Sequence, residues 1–179
     1  MYVPRHFNID DRQRMVAFMR ANSFALLTTV AGSEPFVSHL PLHYVESEQG
    51  QGRLVGHMAR ANPQWRHFNE QTKVLAVFWG PHAYISPAWY DTPNQVPTWN
   101  YETVHAYGVG RIVEDQAQTL ETLRQLVDTY EGGFAQPWRM QNLPEGLAAG
   151  MTRGIVAFEI EIERLEGKAK LSQNKSVKD

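Results

Sequence analysis

Runs of β-favouring residues follow one another along this chain, and short turns join most of them. Residues 24–30 and 36–42 form two such runs around the turn-forming segment 31–34, which predicts a hairpin. Residues 154–163 alternate strictly between apolar and polar side chains, as in a strand with one face in water. Because strands do not alternate regularly with helices, a parallel doubly wound sheet is disfavoured. The spacing predicts a mainly β fold (β+α), a closed antiparallel barrel of six or seven strands with peripheral helices.

Further strands and four helices complete the predicted order. The remaining strands are expected over residues 53–58, 73–79, 82–86 and 98–114, with a turn at Gly80–Pro81 between the second and third of these. A helix is predicted over residues 8–22, where Asn8 or Asp10 provides the N-terminal cap. The other predicted helices cover residues 63–70, 115–130 and 144–151, and Asp115 caps the middle one.

Composition narrows the class of protein. With 179 residues the chain suits a single domain, 1–179, whose tail over residues 166–179 is expected to be a lid or flexible. The absence of cysteine excludes disulfides and thiolate chemistry. No early apolar run is long enough for a signal peptide or a membrane span, so a cytoplasmic location is expected. A net charge of −2 argues against a broad nucleic-acid-binding surface but not against a local basic patch.

The segment from Gly56 to Trp65 carries the strongest functional signal. An apolar strand ends there, Arg60 follows, and Asn62 and Pro63 are the residue types preferred at the cap and the first position of a helix. A helix N-terminus offers unpaired N–H groups and a partial positive charge, so it attracts anions. The pattern indicates a phosphate site at Arg60 and Asn62, and the alternative is an exposed arginine beside an ordinary helix cap.

Two other segments each have two interpretations. Trp89–Tyr90 and Trp99–Tyr101 flank a proline-rich loop, and they suit either a site for a flat ring system or a packed corner of the core. The polar residues 170–175 follow the last predicted strand. They are either a segment that reaches a bound phosphate or carbonyl edge, or a plain tail.

Other common chemistries find little support in the sequence. The seven histidines show no His-Glu-x-x-His pattern and there is no cysteine, so no metal site is predicted. A haem needs only one axial histidine and stays open as a ligand. Nucleophilic catalysis is not expected, because no Gly-x-Ser-x-Gly elbow is present and Ser38 and His39 face opposite sides of a strand.

Six short segments in a fixed order give the chain a family resemblance. Together they resemble the PaiB family of FMN-binding negative transcriptional regulators, within the flavin-binding split-barrel superfamily that includes pyridoxamine phosphate oxidases. Each segment is weak alone, whereas their joint order is specific. They are residues 1–7 (MYVPRHF), 38–41 (SHLP), 56–63 (GHMARANP), 84–90 (YISPAWY), 96–101 (VPTWNY) and 170–174 (KLSQN).

The resemblance implies a Greek-key split barrel that forms a homodimer and holds FMN near the subunit interface. It implies that Arg60 and Asn62 hold the phosphate and that residues of two neighbouring strands line the flavin. It also implies an approach by Trp99 and Asn100 from the barrel rim or the partner subunit, and a cofactor lid over residues 170–174. The cofactor-binding residues expected on this basis are Ser38, His39, His57, Met58, Ala59, Arg60, Asn62, Trp65, Trp99, Asn100, Lys170 and Gln173.

One departure from the superfamily pattern concerns the phosphate. Relatives in the oxidase branch hold it with several arginine, lysine and serine groups, whereas this chain offers one arginine and a helix cap. Three functions follow from the resemblance. The first is an FMN-binding regulator or sensor that acts with DNA or a regulatory protein partner, although the sequence shows no helix-turn-helix motif or basic stripe. The second is a flavin-dependent oxidoreductase that uses a nicotinamide or another small reductant. The third and most distant is a haem-binding split barrel.

Overall fold

The computed structural model describes residues 1–48, 50–69, 72–144, 146–176 and 178. Within these residues it contains eight strands and three α-helices. The strands are β1 (Asn8–Ile9), β2 (Phe24–Ala31), β3 (Glu34–Pro41), β4 (His43–Val45), β5 (Arg53–Ala59), β6 (Lys73–Ile85), β7 (Thr98–Ile112) and β8 (Ile155–Lys170). The helices are α1 (Arg12–Ala21), α2 (Gln116–Glu131) and α3 (Leu147–Thr152). No helix among the described residues is both long and apolar enough to cross a membrane.

All eight strands belong to one antiparallel sheet that coils on itself. The hydrogen-bonded order is β3-β2-β6-β7-β8-β5-β4, and β1 pairs separately with β8. The two ends of this order, β3 and β4, are consecutive in sequence and are separated only by Leu42. The sheet must therefore curl until its ends meet, and β3 also comes close to β5. The predicted split-barrel fold is confirmed, with eight strands where the sequence indicated six or seven.

The strands β7 and β8 form the longest ladder of the sheet. Tyr107 pairs with Arg164 and Gly108 pairs with Ile162, so Glu163 is an extra residue at a β-bulge. β8 also pairs with β5 through its first half and with β1 through its second half. One strand thus contacts three others, and the bulge lies between the segment of β8 that pairs with β5 and the segment that pairs with β1.

Apolar side chains on the inner face of the sheet form the core. Leu27, Phe78, Val104 and Phe158 are fully buried, as is the ring of Tyr44. α1 packs against this core through Met15, Val16 and Met19. The outer face of β6 and β7 is different, because Trp79 and Trp99 are 55% and 53% exposed. The packed-corner interpretation of the Trp99 segment is therefore wrong for Trp99 itself.

Several predicted boundaries differ from the structure. α1 is capped by Asp11, not by Asn8 or Asp10, because Asn8 and Ile9 pair with β8 as a short strand. Gly80–Pro81 is not a turn, since β6 continues through it with an irregularity between Trp79 and His82. β8 continues to Lys170, so the first residues of the predicted tail are paired with β7.

The predicted helix over residues 63–70 is shorter and tighter than expected. It is a 3₁₀ helix over Pro63–His67, and its predicted end at Glu70 lies outside the described residues. Gln64 explains the difference, because its fully buried side chain bonds to the neighbouring strands. The two hydrogens of its Nε2 are shared among three acceptors, the carbonyl oxygens of Leu27 (2.9 Å) and Phe36 (3.1 Å) and Thr29 Oγ1 (3.2 Å). These bonds fasten the segment to β2 and β3 and leave little room for a longer helix.

The bulge between β7 and β8 requires a glycine at position 108. A Cβ atom on Gly108 would overlap the backbone oxygen of Glu161 and lie 2.9 Å from its carbonyl carbon. Because a backbone atom cannot rotate away, Gly108→Ala should destabilise the protein by about 1–3 kcal/mol. We expect thermal unfolding to show a fall in Tm of about 2–4 °C for each kcal/mol. Gly133→Ala is the control, since a Cβ there meets no atom within 4 Å, and an equal fall in both variants would contradict this account.

Candidate functional site

Residues from β3, β5 and the turn after β5 line one cavity. We call it the β3–β5 cavity, and its volume is about 330 Å³. Six of the twelve residues predicted to bind a cofactor line it, together with Leu40, which the sequence did not single out. The lining consists of Ser38, His39, Leu40, His57, Met58, Ala59 and Asn62.

Asn62 joins the turn after β5 to the neighbouring strand. Its Nδ2 donates to Ser38 Oγ at 2.8 Å, and its Oδ1 accepts from the backbone N–H of Gln64 at 3.0 Å. Its own N–H donates to the carbonyl oxygen of Ala59. Because Nδ2 donates to the Ser38 oxygen, the Ser38 hydroxyl hydrogen is available to an acceptor in the cavity.

His57 lines this cavity and carries an unsatisfied polar atom. Its Nδ1 is buried and has no hydrogen-bond partner among the described residues. Burial lowers the pKa of His57 below its usual value, so the ring is neutral at pH 7. A buried nitrogen without a partner is costly, and a ligand group in the cavity would remove that cost.

Met58 differs from its neighbours on β5. Its side chain is 4% exposed and belongs to the hydrophobic core. Alternate residues of a strand face opposite sides, so Met58 cannot present its side chain beside His57 and Ala59. Met58 thus lies in the wall of the β3–β5 cavity, as its position on β5 requires, while its side chain belongs to the core.

Arg60 and Trp65 line a second and larger cavity of about 580 Å³, which we call the α2–β8 cavity. Arg60 Nε donates to the carbonyl oxygen of Arg153 at 3.0 Å, and its Nη2 donates to that of Ile155 at 2.8 Å. Trp65 Nε1 donates to the carbonyl oxygen of Arg60 at 3.1 Å. The turn after β5 therefore separates the two cavities, with Ala59 facing one and Arg60 the other.

The expected phosphate site at a helix N-terminus needs correction. The helix that follows Asn62 is a 3₁₀ helix of five residues, and its first residue, Pro63, has no N–H. The N–H of Gln64 is bonded to Asn62 Oδ1. The amides after Asn62 that the sequence indicated as anion donors are thus absent or occupied. Asn62 is a cap, as predicted, but its cap satisfies the donor that an anion would need.

The other four predicted residues lie around the start of β7. Trp99 packs edge-on to Tyr84, with ring centroids 5.9 Å apart. Lys170 Nζ donates to the carbonyl oxygen of Trp99 at 2.8 Å, and Asn100 Oδ1 accepts from Ser172 Oγ at 3.0 Å. Gln173 bonds within the same tail segment, where its Oε1 accepts from the N–H of Leu171. Within one chain this segment packs on β7 and lines neither of the two cavities above.

The sequence missed two residues that shape these cavities. Gln64 fastens the turn to β2 and β3, and Arg153 lines the α2–β8 cavity and supplies a carbonyl oxygen to Arg60. A polar residue in a short helix and an arginine before a strand have no local pattern that marks such roles. The residues to which the Gln64 side chain is bonded are at least 28 positions away in the sequence. Arg60, which is bonded to Arg153, is 93 positions away from it.

Comparison with known proteins identifies the family. A family model described as "Putative FMN-binding domain" matches residues 1–164. The protein of Bacillus subtilis named "Protease synthase and sporulation protein PAI 2" is 37% identical over 179 residues, which cover 100% of this chain and 85% of that protein.

Solved structures show the same fold at low sequence identity. A conserved hypothetical protein of Mycobacterium tuberculosis superposes with a TM-score of 0.69 at 12% identity, covering 98% of this chain and 94% of the other. The flavocytochrome Anf3 of Azotobacter vinelandii superposes with a TM-score of 0.68 at 16% identity, covering 95% of this chain and 73% of the other. The family match, the identity to PAI 2 and the shared barrel agree, so this chain belongs to the PaiB family of FMN-binding split barrels, and FMN is its cofactor.

Proposed function

We propose that FMN lies in the β3–β5 cavity and that this protein is a flavin-dependent regulator or sensor. The observation that carries the site is the buried Nδ1 of His57, which has no partner among the described residues and belongs to a residue of the cavity wall. Ser38 adds a hydroxyl hydrogen free to donate, and Asn62 holds that hydroxyl in place. Flavins carry hydrogen-bonding groups on the ring edge, the ribityl chain and the phosphate, so this lining fits the cofactor.

The side chains that line the cavity also limit how the FMN phosphate can be bound. Its titratable side chains are His39 and His57, and it contains no lysine or arginine. The cavity walls therefore cannot neutralise a phosphate by themselves. In this proposal the phosphate lies at the end of the cavity marked by Ser38 and Asn62, and Arg60 supplies the positive charge by exchanging its bonds to the carbonyl oxygens of Arg153 and Ile155 for bonds to the phosphate. When bound, FMN supplies one- and two-electron redox chemistry.

The phosphate assignment can be tested by removing the charge. Arg60→Ala should weaken FMN binding by about 1.5–3 kcal/mol, because a charge-assisted interaction is lost. That corresponds to a rise in Kd of roughly 10- to 100-fold, measured by quenching of FMN fluorescence. Arg66→Ala is the matched control, since Arg66 lies in the same segment but contacts the Trp65 ring. An unchanged Kd for Arg60→Ala, or equal losses in the two variants, would exclude Arg60 as the phosphate cation.

We also propose that the protein is a homodimer in which the aromatic side chains of β6 and β7 are covered by the partner subunit. Trp79, Trp99 and Tyr84 are each about half exposed. Exposed apolar surfaces of this kind commonly mark protein–protein contacts. Trp79, His82 and Trp99 line a shallow cavity of about 450 Å³ with a largely apolar wall. A second copy of the chain would bury this surface.

The dimer has a direct test in solution. Size-exclusion chromatography with light scattering should give a mass near twice 20.5 kDa for the wild type. Trp79→Glu places a charge in the proposed contact and should shift the protein toward the monomer. Phe134→Glu serves as the control, because Phe134 is exposed to a similar degree and lies outside this aromatic surface. A monomeric wild type would rule the dimer out.

The regulatory role rests on the similar Bacillus subtilis protein. The name of the similar Bacillus subtilis protein links it to protease synthesis and sporulation. Among the described residues, no cluster of metal-ligating side chains is present. The exposed face of α2 carries Glu121 and Asp128, which pair with Arg124, so this helix does not present a basic surface to DNA. Regulation would therefore act through a protein partner or through a small basic patch such as the chain's tail.

A pair of assays separates regulation from turnover. If the protein is a regulator or sensor, the FMN-loaded form should bind a promoter fragment or a regulatory protein, and NADH should not reduce the flavin at a rate that supports turnover. Anaerobic absorbance of the flavin during NADH addition measures the second point. Rapid bleaching without binding to a promoter fragment or partner would instead favour the oxidoreductase. A Soret band after addition of haem, without FMN binding, would favour the haem-binding split barrel.

A further inference from the structure

The α2–β8 cavity is the larger of the two cavities beside the turn after β5, and FMN binding as proposed above uses none of its lining residues except Arg60. Its floor is the end of β7 and the start of β8, where Val156 and Ala157 are buried. α2 and α3 close its sides through Thr119 and Thr152, each 7% exposed. A volume of about 580 Å³ lies in the range of small-molecule sites. It shares no lining residue with the β3–β5 cavity.

The charges around this cavity favour an anion. Arg60 and Arg153 both line it, against one carboxylate, that of Glu114. Arg60 is held by two neutral backbone carbonyl groups, so no acidic side chain compensates its charge. Arg153 makes no ion pair or side-chain hydrogen bond to any residue in the described part of the chain. Its guanidinium therefore retains all of its donors for a ligand.

The apolar lining determines what kind of anion fits. Ile112, Val156 and the Trp65 ring form the apolar part of the wall, and the Trp65 indole is fixed by its bond to Arg60. Inorganic ions would leave this surface uncovered. A molecule with one anionic group and a compact apolar body would satisfy both the guanidinium and the apolar wall.

We propose that the α2–β8 cavity binds a small organic anion, with its carboxylate or phosphate group on Arg153 and its apolar body against Ile112, Val156 and Trp65. This site is separate from the flavin site and lies on the other side of the turn formed by residues 59–62. Arg60 forms the wall between the two sites, and Arg153 is the contacting group.

Calorimetric titration of the FMN-loaded protein tests the site. Sodium benzoate and phenyl phosphate are the probes, since they share a ring and differ in the anionic group. We expect saturable binding of at least one probe, with about one molecule per chain, and the tighter probe identifies the preferred anion. Arg153→Gln should weaken that binding about tenfold or more, because the charged donor is lost. Its FMN affinity should equal that of the wild type.

Arg139→Gln is the matched control, since Arg139 is also exposed but pairs with Asp128 outside the cavity. It should bind the probe as the wild type does. The proposal is overturned if neither probe binds saturably, if Arg153→Gln binds as tightly as the wild type, or if both variants lose affinity equally. Release of FMN by the probe would also overturn it, because the cavity would then belong to the flavin site. Titration of the FMN-free protein keeps this test independent of the proposed flavin function.

Discussion

The pairing of β7 with β8 is the constraint on which the rest of the structure depends. β8 pairs with β7 along nearly its whole length, with β5 through its first half and with β1 through its second half. Gly108 makes this possible, because the backbone of Glu161 approaches too closely for any side chain at that position. β5 in turn pairs with the first half of β8, which places its last residues at the β3–β5 cavity and the turn after it between the two cavities.

The turn formed by residues 59–62 lies between the two cavities, and hydrogen bonds hold it in place. Besides its local bonds, the turn is fixed by bonds to distant parts of the chain: to Ser38 on β3, and to the carbonyl oxygens of Arg153 and Ile155 near the start of β8. Gln64 adds bonds to β2 and β3 from full burial. The side chains of Arg60 and Asn62 are both held by these bonds, and the turn separates the β3–β5 cavity from the α2–β8 cavity. That makes the two sides of the turn a natural place for a cofactor and a second ligand.

Much of the fold was readable from local patterns. The hairpin of β2 and β3, the strand β5 and the helix α2 with its Asp115 cap all appear where the sequence indicated them. Several of the errors share one cause, which is that strand pairing overrode local preference. Gly80–Pro81 is typical of a turn, yet it lies within β6 because both flanking segments pair with β7. Residues 166–170 were expected to belong to a polar tail, yet they pair with β7 as the end of β8.

The candidate site, like the fold, was predicted in part from the sequence and decided in part by the tertiary structure. Residue types and the order of short motifs determined the family, the cofactor and six of the residues that line the β3–β5 cavity. Only the tertiary structure decided that Met58 faces the core, that Arg60 and Trp65 lie across the turn, and that the amides after Asn62 are absent or occupied. Side-chain direction in a strand follows from the register with its neighbours, and hydrogen-bond occupancy follows from partners far away in sequence. The order of the motifs can be read directly from the sequence. The register of the strands and the occupancy of hydrogen-bonding groups are fixed only when the sheet closes.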